Sequence, residues 1–177
     1  METSGTQNIE ASVDQGKLSG RLAGKYLTFN LGGGQYGVEI LRVQEIIGIQ
    51  PITHVPKSPE YIKGVINLRG KIIPVLDLRL KLDMQPEEYT AQTCIIVLNI
   101  AVEDQLIAVG VVVDSVREVY DFDAEQIESA PKFGSDMDTS AILGMGKIGE
   151  SVVMLLDISE ALSQTDKAIL SKVKNPN

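Results

Sequence analysis

The sequence predicts a mostly β chain: two small β-barrels on a shared apolar core, with short helical turns between strands and a helix at the C-terminus. Three observations carry this. From Lys25 onward, short runs of Val, Ile, Leu and Tyr alternate with Gly, Asn and Asp, the pattern of short strands joined by tight turns. Helical periodicity is scarce before Ser163. The two halves of the chain also resemble each other.

Tyr26 to Leu31 and Gln35 to Ile40 form the first strand pair, because Gly32, Gly33 and Gly34 between them supply the positive φ angles of a hairpin turn. Val65 to Leu68 and Lys71 to Leu76 flank Arg69-Gly70 in the same way. Thr93 to Ala101 and Leu106 to Val113 flank Val102-Glu103-Asp104-Gln105, and Val152 to Ile158 is the last strong strand. Ser58-Pro59 suits a Ser-capped first helical turn, and Asp123 with Gln126 suits a capping box opening a turn through Ile127. Ser163 to Val173 reads as the helix, with Ala168, Ile169 and Val173 on one side.

The internal resemblance has a register. Ile62, Gly64, Ile73, Leu76 and Asp77 match Ile142, Gly144, Val153, Leu156 and Asp157 at an offset of 80. Gly37, Val38, Val43, Glu45 and Ile46 match Gly110, Val111, Val116, Glu118 and Val119 at an offset of 73, and Asn30 matches Asn99 at 69. Changing offsets are changes of loop length. Two similar sets of about five strands imply two closed sheets, since closure removes exposed edges. The boundaries read as a disordered tail over residues 1–24, a first barrel over about 25–88, a second over about 89–162, and a C-terminal helix and tail over 163–177. Whether the first strand pairs within its own barrel or crosses into the other stays open.

The 177 residues, 44% hydrophobic and 23% charged, fit a globular protein of one domain or two small ones. A formal charge of −8 has the wrong sign for a nucleic-acid or anionic-membrane binder. No secretory signal is apparent, and the longest apolar run, Leu106 to Val113, falls far below the roughly 20 residues of a membrane-spanning helix, so direct membrane insertion is not expected. Cys94 as lone cysteine and His54 as lone histidine exclude an internal disulfide and any scheme needing two imidazoles, which fits a reducing, cytoplasmic setting.

Both G-x-G-x-x-G matches, Gly32 to Gly37 and Gly144 to Gly149, lead into Val-rich strand sequence rather than a helix N-terminus, so they are hairpin glycines and not phosphate cradles. His54 reads as a surface-loop residue. Asp77, Asp114 and Asp157 each end an apolar strand; turn capping accounts for them, with an acid/base pair or divalent-metal site between two of them as the alternative. Cys94 reads as a small, mostly buried hydrophobe. Arg69 stands out: its counterpart in the second half is Gly149, so the barrel does not need an arginine there. It is either a solvated turn cation or the partner of Glu45 at the edge of a groove.

Tyr36-Gly37-Val38-Glu39-Ile40, Val43-Gln44-Glu45-Ile46, Tyr61-Ile62-Lys63-Gly64-Val65, Asn67-Leu68-Arg69-Gly70 and Pro74 to Arg79 resemble, in order and spacing, the signature of the bacterial chemotaxis adaptor family CheW. Ile95 to Asn99, Gly110 to Asp114 and Ala124 to Ile127 continue the resemblance, which runs from about Lys25 to Leu162. It implies two SH3-like five-stranded β-barrels on a common hydrophobic core. It further implies a non-enzymatic adaptor, without cofactor or metal, that couples methyl-accepting chemoreceptors to the histidine kinase CheA in a membrane-associated array. The implied partners are the cytoplasmic tips of the receptors and the regulatory domain of CheA, and the implied location is the cytoplasm, at receptor clusters on the inner face of the membrane. The receptor-binding groove carried over by position is Ile40, Val43, Glu45, Arg69, Cys94, Gly110 and Val119; Cys94 departs from the branched aliphatic more usual there. Kinase contacts carry over to Phe133 and, more loosely, to Ile52 and Val55 within the stretch Ile49 to Val55. The same kind of domain also occurs inside CheA and fused to a receiver domain, which the length of this chain disfavours; a cleft enzyme using Asp77, Asp114 or His54 is the distant alternative.

Overall fold

Strand pairing, not chain order, divides this molecule. The computed structural model describes residues 17–130 and 140–174. Among these, eleven strands form two sheets. The chain opens with a helical turn, α1 (residues 17–22), followed by β1 (Gly24–Leu31) and β2 (Gly34–Glu39). Between the latter two, Gly32 and Gly33 take φ of 55° and 84°, the two positive angles of a type I′ turn. A 3₁₀ turn, Ile40–Arg42, leads to β3 (Val43–Gly48), then β4 (Ile62–Leu68), β5 (Lys71–Asp77) and the short α2 (Leu78–Lys81). The second half holds β6 (Cys94–Val102), β7 (Gln105–Val113), β8 (Ser115–Phe122), β9 (Ile127–Glu128), β10 (Ile142–Ile148), β11 (Ser151–Leu156), α3 (Ile158–Ala161) and α4 (Gln164–Lys174).

One sheet runs β3-β6-β7-β5-β4 and the other β8-β1-β2-β11-β10-β9. Placed on the sequence offsets, these are the same order: β6 and β7 are the counterparts of β1 and β2, and each such hairpin is inserted among the strands of the opposite half. The parallel junctions match residue for residue, Val75 beside Gly110 and Leu155 beside Gly37. The β-bulges match as well, at Ile62/Gly64 and Ile142/Gly144. Thr53 bridges back to Val65 on β4 just as Glu128 of β9 pairs with Met145 on β10. Gly64 permits the first approach, for a Cβ there would lie 2.0 Å from the Thr53 carbonyl oxygen.

The exchange corrects the sequence boundary near residue 88: both hairpins cross, not one strand. The reason is burial on both faces. On β6, Ile95 and Val97 point into an inner cluster with Ile66, Ile73 and Val75, while Ile96, Leu98 and Ile100 join the shared core between the sheets. On β1, Tyr26 enters the inner cluster of the other sheet with Phe122 and Val153, while Leu27, Phe29 and Leu31 face the shared core. Strands apolar on both sides show no alternation from which a partner could be read.

Three further expectations change. Residues 17–22 are helical, with Leu22 packed in the inner cluster, so only residues 1–16 of the expected tail lie outside the description. Ser58-Pro59 makes a turn, its Ser58 hydroxyl donating to the Val55 carbonyl at 2.7 Å, rather than starting a helix. Helix α4 buries Asp166 and Leu170 and leaves Ala168 exposed, because Leu170 reaches the shared core. The Asp123–Gln126 capping box forms as expected.

Candidate adaptor surface

The β4–β5 hairpin turns on Arg69 and Gly70, with φ of 53° and 86°. Asn67 stabilises it by accepting the Gly70 amide on Oδ1 at 2.8 Å. The turn aims the Arg69 guanidinium across to β3, where it forms a two-pronged ion pair with Glu45; Nη1 donates to Oε1 at 3.1 Å and Nη2 to Oε2. The arginine side chain is 68% exposed and the glutamate 24%. The Arg69 hydrogen bonds hold the Glu45 carboxyl below its ordinary range. Arg69 is therefore a paired cation on an open rim, and the alternative of an unpaired solvated turn residue is set aside.

The other residues expected in the groove differ in exposure. Ile40, Val43 and Cys94 are half-buried and pack on the shared core. Val119 on β8 is exposed, and so is its counterpart on β3, Ile46, at 49% and 45%. Ile46 escaped selection although the internal repeat aligned it with Val119; that equivalence was the signal that could have found it. Burial raises the Cys94 thiol pKa, so it remains a neutral, packed thiol. Gly110 is corrected. It is buried, in one row with Glu45, Val97 and Val75, and an added Cβ would meet Ile95 Cγ2 at 2.7 Å. Its bareness makes room for Ile95 and Val75 of the inner cluster, and it offers no surface to a partner.

Of the residues expected to face the kinase, Ile52 is half-buried against the inner cluster and Val55 half-buried in the same returning segment; Phe133 lies outside the described residues. His54 is exposed. Asp77 and Asp157 cap α2 and α3, accepting the amides of Arg79 at 2.9 Å and Glu160 at 3.3 Å. Asp114 pairs with the buried Arg79 and accepts the Gly32 amide at 2.9 Å. The three aspartates thus serve capping and pairing, and no group of three His, Cys, Asp or Glu with metal-binding geometry occurs among the described residues. No helix among them is long and apolar enough to cross a membrane.

One network was invisible in the sequence. Asp166 of α4 receives hydrogen bonds from the Tyr61 hydroxyl, the Lys81 ammonium and Ser163, and the Lys81 Nζ lies 4.6 Å from the Tyr61 ring centre. Burial opposes the charge, but these donors prevail and bring the Asp166 carboxyl down to about 2. The Tyr61 hydroxyl is pushed up by burial and by the same carboxylate.

A paired, exposed cation beside apolar surface, on two exchanged sheets with capped turns, fits a protein-binding module. The comparisons agree. Residues 25–166 match the family model described as the CheW-like domain. The chain is 42% identical over 158 residues to the chemotaxis protein CheW of Klebsiella aerogenes, covering 89% of this chain and 93% of that protein. It is 38% identical to the chemotaxis protein CheW of Bacillus subtilis, over 81% and 87% of the two chains. The crystal structure of the scaffolding protein TtCheW from Thermoanaerobacter tengcongensis superposes with a TM-score of 0.70 at 32% identity, covering 80% of this chain and 94% of that one. The chain belongs to the CheW-like domain family.

Proposed function

We propose that this chain is a chemotaxis adaptor that couples chemoreceptors to the histidine kinase CheA. It works without chemistry of its own, in the cytoplasm at receptor clusters, with the rim around Glu45 and Arg69 as the receptor-facing surface. The observation that carries the assignment of the rim is the pair itself. An exposed ion pair contributes about 0 to 1 kcal/mol to folding, while a non-glycine residue with positive φ costs on the order of 1 kcal/mol. Folding gains little from an arginine in that turn, and the equivalent turn of the second half dispenses with it.

The exposed Ile46 and the half-buried Ile40 and Val43 supply apolar contact, and the Glu45–Arg69 pair sets register at the edge. Micromolar binding needs about 8 kcal/mol, which a few such anchors provide. Ile52, Val55 and Phe133 are proposed to face the kinase. The test is a pair of titrations of the full chain, against a receptor cytoplasmic fragment and against the CheA regulatory domain, with Arg69→Glu alongside. The expected result is binding to both by the parent, and loss of the receptor arm alone in a variant that still melts cooperatively. Unchanged receptor binding by Arg69→Glu would remove the rim from the receptor site, and binding to neither by the folded parent would remove the adaptor role.

A further inference from the structure

The offsets relate two equivalent positions beside the parallel junctions of the sheets, one filled by the buried Arg79 and the other an open crevice. Their floors correspond: Val111, Leu76 and Leu78 under one, Val38, Leu156 and Ile158 under the other. At the first, Arg79 is 2% exposed and its guanidinium pairs with Asp114 and donates to the Glu87 carbonyl at 2.8 Å. At the second, the positions of Arg79 and Asp114 are taken by Ser159 and Leu41. Neither can span the gap. A small recess open to solvent remains, lined by Leu98, Ile100, Leu156 and Ile158, with Leu41 at 90% exposure on the adjoining turn.

We propose that the open crevice receives an arginine side chain of a partner protein, in the way the closed one receives Arg79. The apolar floor suits the methylene stem of arginine. Two carboxylates, Glu39 and Asp157, line the opening against the single guanidinium of Arg42, and Arg42 is exposed. Asp157 accepts one backbone amide, from Glu160, and its remaining acceptor capacity is available to a guanidinium. The molecule therefore already contains the filled version of this site, which states what the empty version lacks.

Methyl NMR of the full chain, titrated with acetyl-arginine amide and separately with acetyl-norleucine amide, tests the proposal. Arginine amide is expected to shift the methyls of Leu98, Ile100, Leu143, Leu156 and Ile158 saturably in the millimolar range, with norleucine amide about tenfold weaker. Leu41→Asp combined with Ser159→Arg rebuilds the closing pair and should abolish those shifts. Asp157→Ser keeps an N-cap while removing the charge, and should weaken arginine amide about tenfold with the melt unchanged. Absence of saturable shifts, equal response to norleucine amide, or undiminished shifts in folded variants would overturn the proposal.

Discussion

The turn between β4 and β5 and the turn between β10 and β11 are the same turn twice, and they differ in what they carry. Each joins the last two strands of its half, and Arg69 and Gly149 take nearly the same positive φ, 53° and 59°. The backbone requirement is met by glycine in one and by arginine in the other, so the turn itself does not require the arginine side chain. The same reading separates other pairs. Arg79, opposite Ser159, is buried and pairs with Asp114. Tyr61 and Lys81, opposite Ala141 and Ala161, hold α4. Duplication supplies a control inside the molecule: a residue present in one half and absent from the other is not needed for the fold they share, and its exposure tells whether it serves packing or contact.

The largest expected effect comes from breaking the buried member. Arg79→Ala leaves Asp114 without its partner and should lose about 3 to 5 kcal/mol in urea unfolding, whereas Ser159→Ala should stay within about 0.5 kcal/mol. Equal losses at the two positions would show that the halves do not differ in this respect.

The α4 anchor sharpens the contrast through pH. Asp166 has a folded pKa of about 2 against an ordinary value of 3.8, so its contribution is complete above pH 4 and disappears as pH falls toward 2. Unfolding midpoints measured across that window should converge for the parent and Asp166→Asn, with the parent the more stable at neutral pH. A constant gap between them would contradict the network.

Gly146 and Ile66 are equivalent, and Phe122 fills the space above Gly146, its Cε1 only 2.4 Å from where a Cβ would stand. Gly146→Ala should therefore cost about 1 to 3 kcal/mol, and Phe122→Leu should recover part of this in a double-mutant cycle. Additive losses would show that the two sites do not share a volume.

The smallest effect on stability is expected at the most informative site. Arg69→Gly copies the second-half turn into the first; relief at positive φ and loss of the Glu45 pair nearly cancel, within about 1 kcal/mol. Thermal unfolding should be almost unchanged while receptor-fragment binding falls, separating contact from folding.

Local chemistry made much of this legible in advance. Gly32-Gly33 and Arg69-Gly70 located two hairpin turns, Asp123 and Gln126 their capping box, and the offsets of 80 and 73 the equivalence of the two halves. Strands β3 and β8 were less clear, since several of their residues are exposed and their apolar runs are broken by Gln, Arg and Glu. The Tyr61–Lys81–Asp166 cluster was hidden because its members lie in three elements, with Tyr61 and Asp166 separated by 105 positions.

By itself, then, the sequence determined the most apolar strands (β1, β2, β4 to β7 and β11), the turns between paired ones, that the two halves match, and that Arg69 breaks the symmetry, because each is legible along the chain. Tertiary structure alone decided that both hairpins cross to the opposite half, that Gly110 lies inside rather than on the surface, and that Arg69 reaches Glu45. Those outcomes depend on which faces meet, and strands buried on both sides carry no local record of their partners.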